Sequence, residues 1–376
     1  MSRTLTPTAG GCRLDDLLAV LDEPTDPADY PHATEITQGV LVYDAAALRA
    51  TPPEELARAF ADGPGIVLIR DAVAPATVHR ASAAFEAIIA EQHAGGAAAG
   101  DHFARPGAND RIWNALQKLA VRDPETFVEY YANDVLAAVS HAWLGPAYQV
   151  TSQPNVVNPG GAGQVGHRDY HLGFLPAARI EQYPAHVHLL SPVLTLQGAI
   201  AHTDMPVETG PTCYLPHSQK YAAGYLATGR PEFRRYFDEH HVQLPLRLGD
   251  AAFFNPAVIH GAGTNRTKEV RRMANLLQVS SAFGRAMETV DRELVCNAVY
   301  PALLTRAAHD PAGTANAVAA AAEGYPFPTN LDSDPPLDGL APPSQADLVH
   351  RALTEHWTPD RLRGELSAQS DRRSDR

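Results

Sequence analysis

Lysine is almost missing from this 376-residue chain. It occurs only at Lys118, Lys220 and Lys268, and nearly every other basic position is arginine. With abundant alanine, this composition points to a GC-rich bacterial coding sequence. The cations are scattered except at the extreme C-terminus, and the formal net charge is −13. Such a chain has no basic stripe to neutralise a phosphate backbone, which excludes broad nucleic-acid binding. Cysteine is equally scarce: Cys12, Cys213 and Cys296 are odd in number, far apart and without CxxC spacing. That excludes a disulfide framework or a zinc knuckle and fits a reducing cytoplasm. No segment reaches the ~18 apolar residues of a membrane span, and no charged start leads into an apolar run at the N-terminus. A soluble cytoplasmic protein is expected, with neither nucleic acid nor membrane as partner. HExxH, GxSxG and Walker loops are lacking as well, and no repeat of solenoid period occurs.

What is present changes character part-way along. Residues 1–40, rich in Pro, Thr, Gly and Asp, read as an extension carrying one small helix near Leu14 to Leu21. Thr51-Pro52-Pro53-Glu54-Glu55 marks a helix start, Gly65 to Arg70 a strand, Pro75 to Glu91 an amphipathic helix, and Pro124 to Trp143 a further helix. From Tyr148 the pattern becomes short β-rich runs: Tyr148–Val157, Val165–Tyr170, His186–Leu190, Leu194–His202, Thr212–Pro216, Val242–Leu246, Ala251–Phe254 and Arg272–Ser280. Many short strands punctuated by Gly and Pro predict a sandwich or barrel. The chain is expected to turn irregular after Tyr300, to form a last helix from Ala346 to about Leu366, and to end in a disordered tail, residues 367–376. The expected organisation is the extension, a β domain with N-terminal helices over 41–290, and a segment 291–366 packed on that same domain.

Chemistry concentrates in two places. His167-Arg168-Asp169 places a histidine and a carboxylate at i and i+2, which alternation puts on one face of an extended segment while Arg168 points away. Far downstream, Asn255-Pro256-Ala257-Val258-Ile259-His260-Gly261-Ala262-Gly263 supplies a second histidine, with glycines that let the backbone pass close to a ligand. Two imidazoles and one carboxylate on one face of a metal leave the opposite positions open, as in non-haem Fe(II) oxygenases. With 17 histidines, a lone HxD carries little weight. A second one exists at His202-Thr203-Asp204. Starting from His167, at least four β-like runs precede His260, enough to close a two-sheet barrel; starting from His202 leaves too few. His202 therefore reads as a structural histidine and His171 as a neighbour of the site. An arginine after His260 is suited to a bidentate grip on a carboxylate, but Arg266, Arg271 and Arg272 compete, and the adjacent pair face opposite ways on a strand. Gly161 to Gly166 formally match GxGxxG, yet Asn158-Pro159-Gly160 closes the strand before it and no helix pattern follows, so a dinucleotide turn is disfavoured.

These ordered motifs resemble the phytanoyl-CoA dioxygenase family of iron and 2-oxoglutarate oxygenases. The resemblance spans roughly residues 62–283: Gly63 to Val73, His167-Arg168-Asp169, Asp204 to Pro216, and Gly249-Asp250 through Arg271. It implies an α+β chain built on a double-stranded β-helix, a cupin-like jelly-roll barrel. It also implies Fe(II) held by His167, Asp169 and His260, and 2-oxoglutarate held by Arg271, with Gln153 and Thr212 on strands flanking that cosubstrate. Asp204 then matches a different family position, which removes His202 as a ligand. The chain departs from the family at Thr209, where Asn is usual, and at His217-Ser218-Gln219, where Gly-Ser-His is usual; these bear on substrate recognition rather than on the metal.

The implied activity is oxidation of a substrate C–H bond, with hydroxylation as the default, using O2 and converting 2-oxoglutarate to succinate and CO2. Asp169 disfavours halogenation, which needs the carboxylate's place for chloride. The rivals are a Zn(II) hydrolase on the same three ligands and a non-catalytic binding module. A CoA thioester needs a basic landing site that this lysine-poor, acidic chain lacks, so a small metabolite or natural-product intermediate is the expected substrate. Tyr170, His171, Trp113, Lys118 and the segment Tyr325–Asn330 are candidates to line or cover its pocket.

Overall fold

The computed structural model describes residues 6–95, 107–336 and 338–374. Its strands are β1 Glu35–Thr37, β2 Val40–Asp44, β3 Ile66–Arg70, β4 Asn109–Arg111, β5 Gln149–Val157, β6 Thr195–Ala201, β7 Cys213–Leu215, β8 Val242–Gln243, β9 Ala251–Phe254, β10 Ile259–Gly261 and β11 Arg272–Ser280. Eight form one sheet in the order β1-β2-β3-β9-β6-β11-β5-β4, and three form a smaller sheet, β10-β7-β8. β2 and β3 run parallel; the other pairings are antiparallel. The strand order is that of a jelly roll. Among the described residues, however, no continuous ladder closes it at both edges, so it is two facing sheets rather than a sealed barrel.

Alternation along the long strands sorts their side chains into two layers. Met273, Leu277 and Val279 of β11, with Val150, Val156, Leu196 and Ile200, belong to the core under the helices. Ala274 and Leu276 point the other way, into the space shared with Ala201, Phe254 and Tyr214. This inner face carries the candidate site. The outer face is covered by the helices Pro75–Ala94, Ala115–Arg122, Pro124–Tyr131, Asp134–Leu144, Arg292–Ala307 and Pro311–Ala321. Truncating a core residue such as Leu303 or Phe127 costs about 2–5 kcal/mol.

Several sequence expectations change here. The stretch expected as one helix over Pro124–Trp143 is two, because Asn133 accepts from Leu136 N at 2.8 Å and caps a new start. His186–Leu190, expected as a strand, lies in the helix Ala185–Val193; a short apolar run does not distinguish the two by period. Val165–Tyr170 makes only one bridge, His167 with His260. β1 takes residues 35–37 out of the expected extension and into the sheet. After Tyr300 the chain stays helical as far as Ala321, in helices capped by Asp291 and Asp310, and is irregular, as expected, over the Pro-rich stretch 322–336 and 338–344. Its side chains, including Val295, Val299, Leu348 and Leu362, complete the same core as the N-terminal helices. The last helix is Pro359–Ser374 rather than a helix ending at Leu366. Leu362, Leu366 and Gln369 fall on one buried face, and Arg372 pairs with Asp334 at 3.1 Å; of the expected tail, residues 375 and 376 lie outside the described residues.

Candidate metal centre

His167 and His260 meet across the mouth between the sheets. His167 N donates to His260 O at 2.9 Å and His260 N returns to His167 O at 3.0 Å, while Asp169 N donates to Pro256 O at 3.0 Å. The Asn255-Pro256 turn thus holds the Asp169 backbone, and β10 holds that of His167. Each imidazole sets its Nδ1 against a carbonyl, Val165 O at 2.8 Å and Val258 O at 2.9 Å. A carbonyl only accepts, so Nδ1 carries the proton and Nε2 keeps its lone pair. Both Nε2 atoms face Asp169: His167 Nε2 is 3.9 Å from Oδ1 and His260 Nε2 is 3.7 Å from Oδ2. One ligand atom from each of the three residues falls within 4.8 Å of the others. Two neutral imidazoles and a carboxylate are the donor set of a non-haem Fe(II) site.

The electrostatics agree with this. Burial pushes the Asp169 carboxyl upward, but the facing His260 and His167 rings, when protonated, and the Gln197 amide outweigh it and bring it to about 2. Burial and the neighbouring His260 push the His167 imidazole down. A negative carboxylate and a neutral ring are the forms that bind a metal. Gln197, on the inner face of β6, donates to Asp169 Oδ2 at 2.6 Å, and Tyr225 OH donates to Asp169 O at 3.0 Å.

A polar wall continues from Gln197. Gln153 and Gln278 exchange two amide hydrogen bonds, 3.1 and 3.2 Å. Tyr170, 4 % exposed, keeps its hydroxyl deep beside Asp169, with burial and that charge pushing its pKa up. Glu288 Oε1 accepts from Asn114 N at 2.5 Å, and burial pushes its carboxyl up. Gln197 Oε1, Tyr170 OH and Glu288 Oε2 are buried without a hydrogen-bond partner among the described residues.

The remaining expected residues fall in different places. Gln153 belongs to this wall. Thr212 immediately precedes β7 of the smaller sheet, with its hydroxyl on the side of buried Tyr214. Arg271 projects outward, its side chain 51 % exposed, with NH2 3.6 Å from Asp110 Oδ2 and Nε 3.4 Å from Asn158 Oδ1. Arg272 is buried, 5 % exposed, on the inner face. His202 turns to the helix side between Ser82 Oγ at 2.8 Å and Tyr130 OH at 2.9 Å, while Asp204 accepts from Leu248 N at 2.9 Å; the second HxD therefore does not converge. The Gly161–Gly166 stretch packs against 262–264, where a Cβ on Gly163 would come 2.6 Å from Ala262 O, and no helix follows it. His171 Nδ1 is 3.2 Å from Ser191 Oγ, which contacts Tyr225 OH at 3.3 Å. Arg111 lies over the Trp113 ring at 4.9 Å, and Tyr325 meets Phe283 edge-on at 5.3 Å.

Gln197 and Glu288 carry no motif in the sequence, and Arg272 stands there only as a rival of Arg271. A glutamine within an otherwise apolar alternating strand, Leu196 to Ala201, was a usable signal for the first; Glu288 sits in a loop without periodicity.

The phytanoyl-CoA dioxygenase (PhyH) family model matches residues 61–273, more than half of the chain. The chain belongs to the phytanoyl-CoA dioxygenase family. It is accordingly an oxidoreductase that uses Fe(II), 2-oxoglutarate and O2. The match ends one residue after Arg272, so Glu288 and the C-terminal helices lie beyond it. Solved structures similar to this chain include the non-heme alpha ketoglutarate dependent carbocyclase SnoK from nogalamycin biosynthesis, at 20 % identity over 62 % of this chain and 86 % of that one, TM-score 0.45. Others are the epimerase SnoN from the same biosynthesis, at 19 % identity over 64 % and 84 %, TM-score 0.41, and AviO1 from Streptomyces viridochromogenes Tue57, at 17 % identity over 59 % and 92 %, TM-score 0.43. A comparison with curated proteins found no match. No helix among the described residues is long and apolar enough to cross a membrane.

Proposed function

We propose that this phytanoyl-CoA dioxygenase-family chain oxidises a C–H bond of a small metabolite or natural-product intermediate, hydroxylation being the default outcome. The observation that carries the reading is the convergence of His167, Asp169 and His260, each imidazole held with its Nδ1 proton on a backbone carbonyl. In this reading, His167 Nε2, His260 Nε2 and one Asp169 oxygen hold Fe(II). The bound iron and 2-oxoglutarate supply the oxidising power, with succinate and CO2 as co-products. Gln197 fixes the Asp169 rotamer, and Tyr225 and the Asn255-Pro256 turn fix its backbone. Asp169 fills the position that a halide requires, which favours oxygen insertion or desaturation over halogenation.

The substrate side follows from the polar wall. Tyr170 OH faces Gln197 and the Glu288 carboxyl faces Gln153, yet Gln197 Oε1, Tyr170 OH and Glu288 Oε2 make no well-formed hydrogen bond among the described residues. A substrate that brings hydroxyl or amino donors satisfies them, since each buried polar group left unpaired costs about 1–3 kcal/mol. The insertion between Asp169 and β6 exposes Phe174, Leu189, Leu190 and Val193, a surface for an apolar portion of the same molecule. Incubation of a metabolite extract with enzyme, Fe(II), 2-oxoglutarate and O2, followed by mass spectrometry, tests the proposal. Products heavier by one oxygen, formed only with 2-oxoglutarate, are expected; their absence together with absent succinate release would refute it.

A further inference from the structure

We infer that Glu288, on the loop after β11, is a specificity-determining residue that takes a protonated amine of the substrate. The inference rests on the proposed function above and adds a substrate class to it. Three observations carry it. First, place: Gln197, the residue bonded to Asp169, pairs in register with Gln278 on the neighbouring strand. Gln278 exchanges amide hydrogen bonds with Gln153 of β5, and the Glu288 carboxyl faces Gln153. Strands lie about 5 Å apart, so the glutamate stands on the order of 10 Å along the wall from the residue that touches Asp169. Tyr170 lies within electrostatic reach of both Asp169 and Glu288, so one continuous wall joins the metal ligands to the carboxyl. Second, charge: Oε1 accepts from Asn114 N at 2.5 Å, while the buried Oε2 makes no well-formed hydrogen bond. Arg111 and Lys118 draw the carboxyl down, but burial outweighs them and it stays raised, so these cations do not offset its desolvation. A cationic donor offers such a group most, because a charge-assisted hydrogen bond is about twice as strong as a neutral one. Third, redundancy: the attachment of this loop to the helix Ala115–Arg122 does not need the charge. Asp291 N donates to Gln117 Oε1 at 2.8 Å, Asn114 Nδ2 donates to the same oxygen at 3.1 Å, and Asn114 N requires only an acceptor, which a neutral amide also supplies.

Between the two ends of the wall, Leu276 pairs in register with Gln153 and is half-buried on the same face. It gives the carbon skeleton an apolar contact. The substrate is thus an amine whose nitrogen lies several bonds from the C–H bond that is oxidised. Glu288 lies outside residues 61–273, the part of the chain that matches the family, so the preference is a property of this chain.

For the test, a metabolite extract is split by cation exchange into a retained, amine-containing fraction and a flow-through, and part of the retained fraction is N-acetylated to remove its charge. Each is incubated with Fe(II)-loaded enzyme, 2-oxoglutarate and O2, reading succinate release and products heavier by one oxygen. Wild type should respond to the retained fraction, and at least about tenfold less after acetylation. Glu288→Gln keeps an acceptor for Asn114 N; it should respond at least about tenfold less than wild type to the retained fraction and no longer distinguish it from the acetylated one. Glu288→Asp should recover part of the discrimination. Because the ratio of the two fractions is read on one protein sample, partial misfolding does not mimic the result. A residue that merely holds the Asn114 backbone would lower both responses alike and keep their ratio, which overturns the inference. A wild type that acts on the flow-through, or equally on the acetylated fraction, also overturns it and leaves the proposed function standing. A wild type that releases no succinate with any fraction refutes the proposed function itself, and the amine assignment falls with it.

Discussion

Gln197 Nε2 donates to Asp169 Oδ2 at 2.6 Å across a separation of 28 residues. The bond couples the inner wall of the large sheet to the only carboxylate of the candidate metal centre. Outer partners of this kind orient a ligand and set its basicity. Replacing Gln197 with Leu should lower Fe(II) or Co(II) affinity about 10- to 100-fold with the fold intact. Isothermal titration with Co(II), paired with circular dichroism, measures both; unchanged affinity would show that the bond plays no part in holding the metal.

Asp169→Ala should remove substrate-dependent succinate release. The two imidazoles remain, so residual metal binding is compatible with the reading, but coupled oxidation is not. Retained wild-type turnover in this variant would sink the assignment of Asp169.

Metal exchange separates oxygenase from hydrolase. Removal of metal by chelator should abolish turnover, Fe(II) with ascorbate should restore it, and Zn(II) should occupy the same ligands without restoring it. Zn(II)-supported turnover would favour the hydrolase instead.

His202 predicts a pH dependence of stability. Burial lowers its folded-state pKa to about 3, against an ordinary value near 6.5, so the unfolded chain binds this proton first as the solution acidifies. Its contribution is complete above pH ~6.5 and is lost as pH falls from there towards 3, by up to ~1.4 kcal/mol per pH unit. Urea unfolding of metal-free protein at pH 7 and pH 5 should show a larger drop for wild type than for His202→Gln. Equal drops would contradict the buried neutral imidazole.

Gly249 has φ +89°, and a Cβ there would lie 2.4 Å from Val73 O. Gly249→Ala should therefore cost on the order of 2–3 kcal/mol and lower Tm, while Fe(II) and 2-oxoglutarate binding persists in the folded fraction. A Tm equal to wild type would refute the close approach.

The sequence showed the parts of the fold that depend on period and punctuation: β3, β5, β6, β9 and β11, the helix beginning at Pro75, and the pairing of an HxD with a distant histidine. Counting strands also favours His167 over His202 as the ligand. The structure adds the reason, since His202 follows Ala201 on an alternating strand and so faces the helices rather than the inner space. What the sequence concealed has physical causes. That Arg272 is buried and Arg271 exposed turns on one residue of register after a loop with no period. Gln197 acquires its role only when two segments 28 residues apart meet. The helix Ala185–Val193 is too short and too apolar for its period to be distinguished from that of a buried strand. The polar residues 367–374 looked like a tail because their helix buries only a narrow stripe.

The central claim is that His167, Asp169 and His260 hold one iron that chelates 2-oxoglutarate. Anaerobic addition of one equivalent of Fe(II), then 2-oxoglutarate, should give the visible charge-transfer band in wild type, saturating at one iron per chain, and no band in His260→Ala. A wild-type protein without the band, or a His260→Ala variant that keeps it at full intensity, would contradict the account.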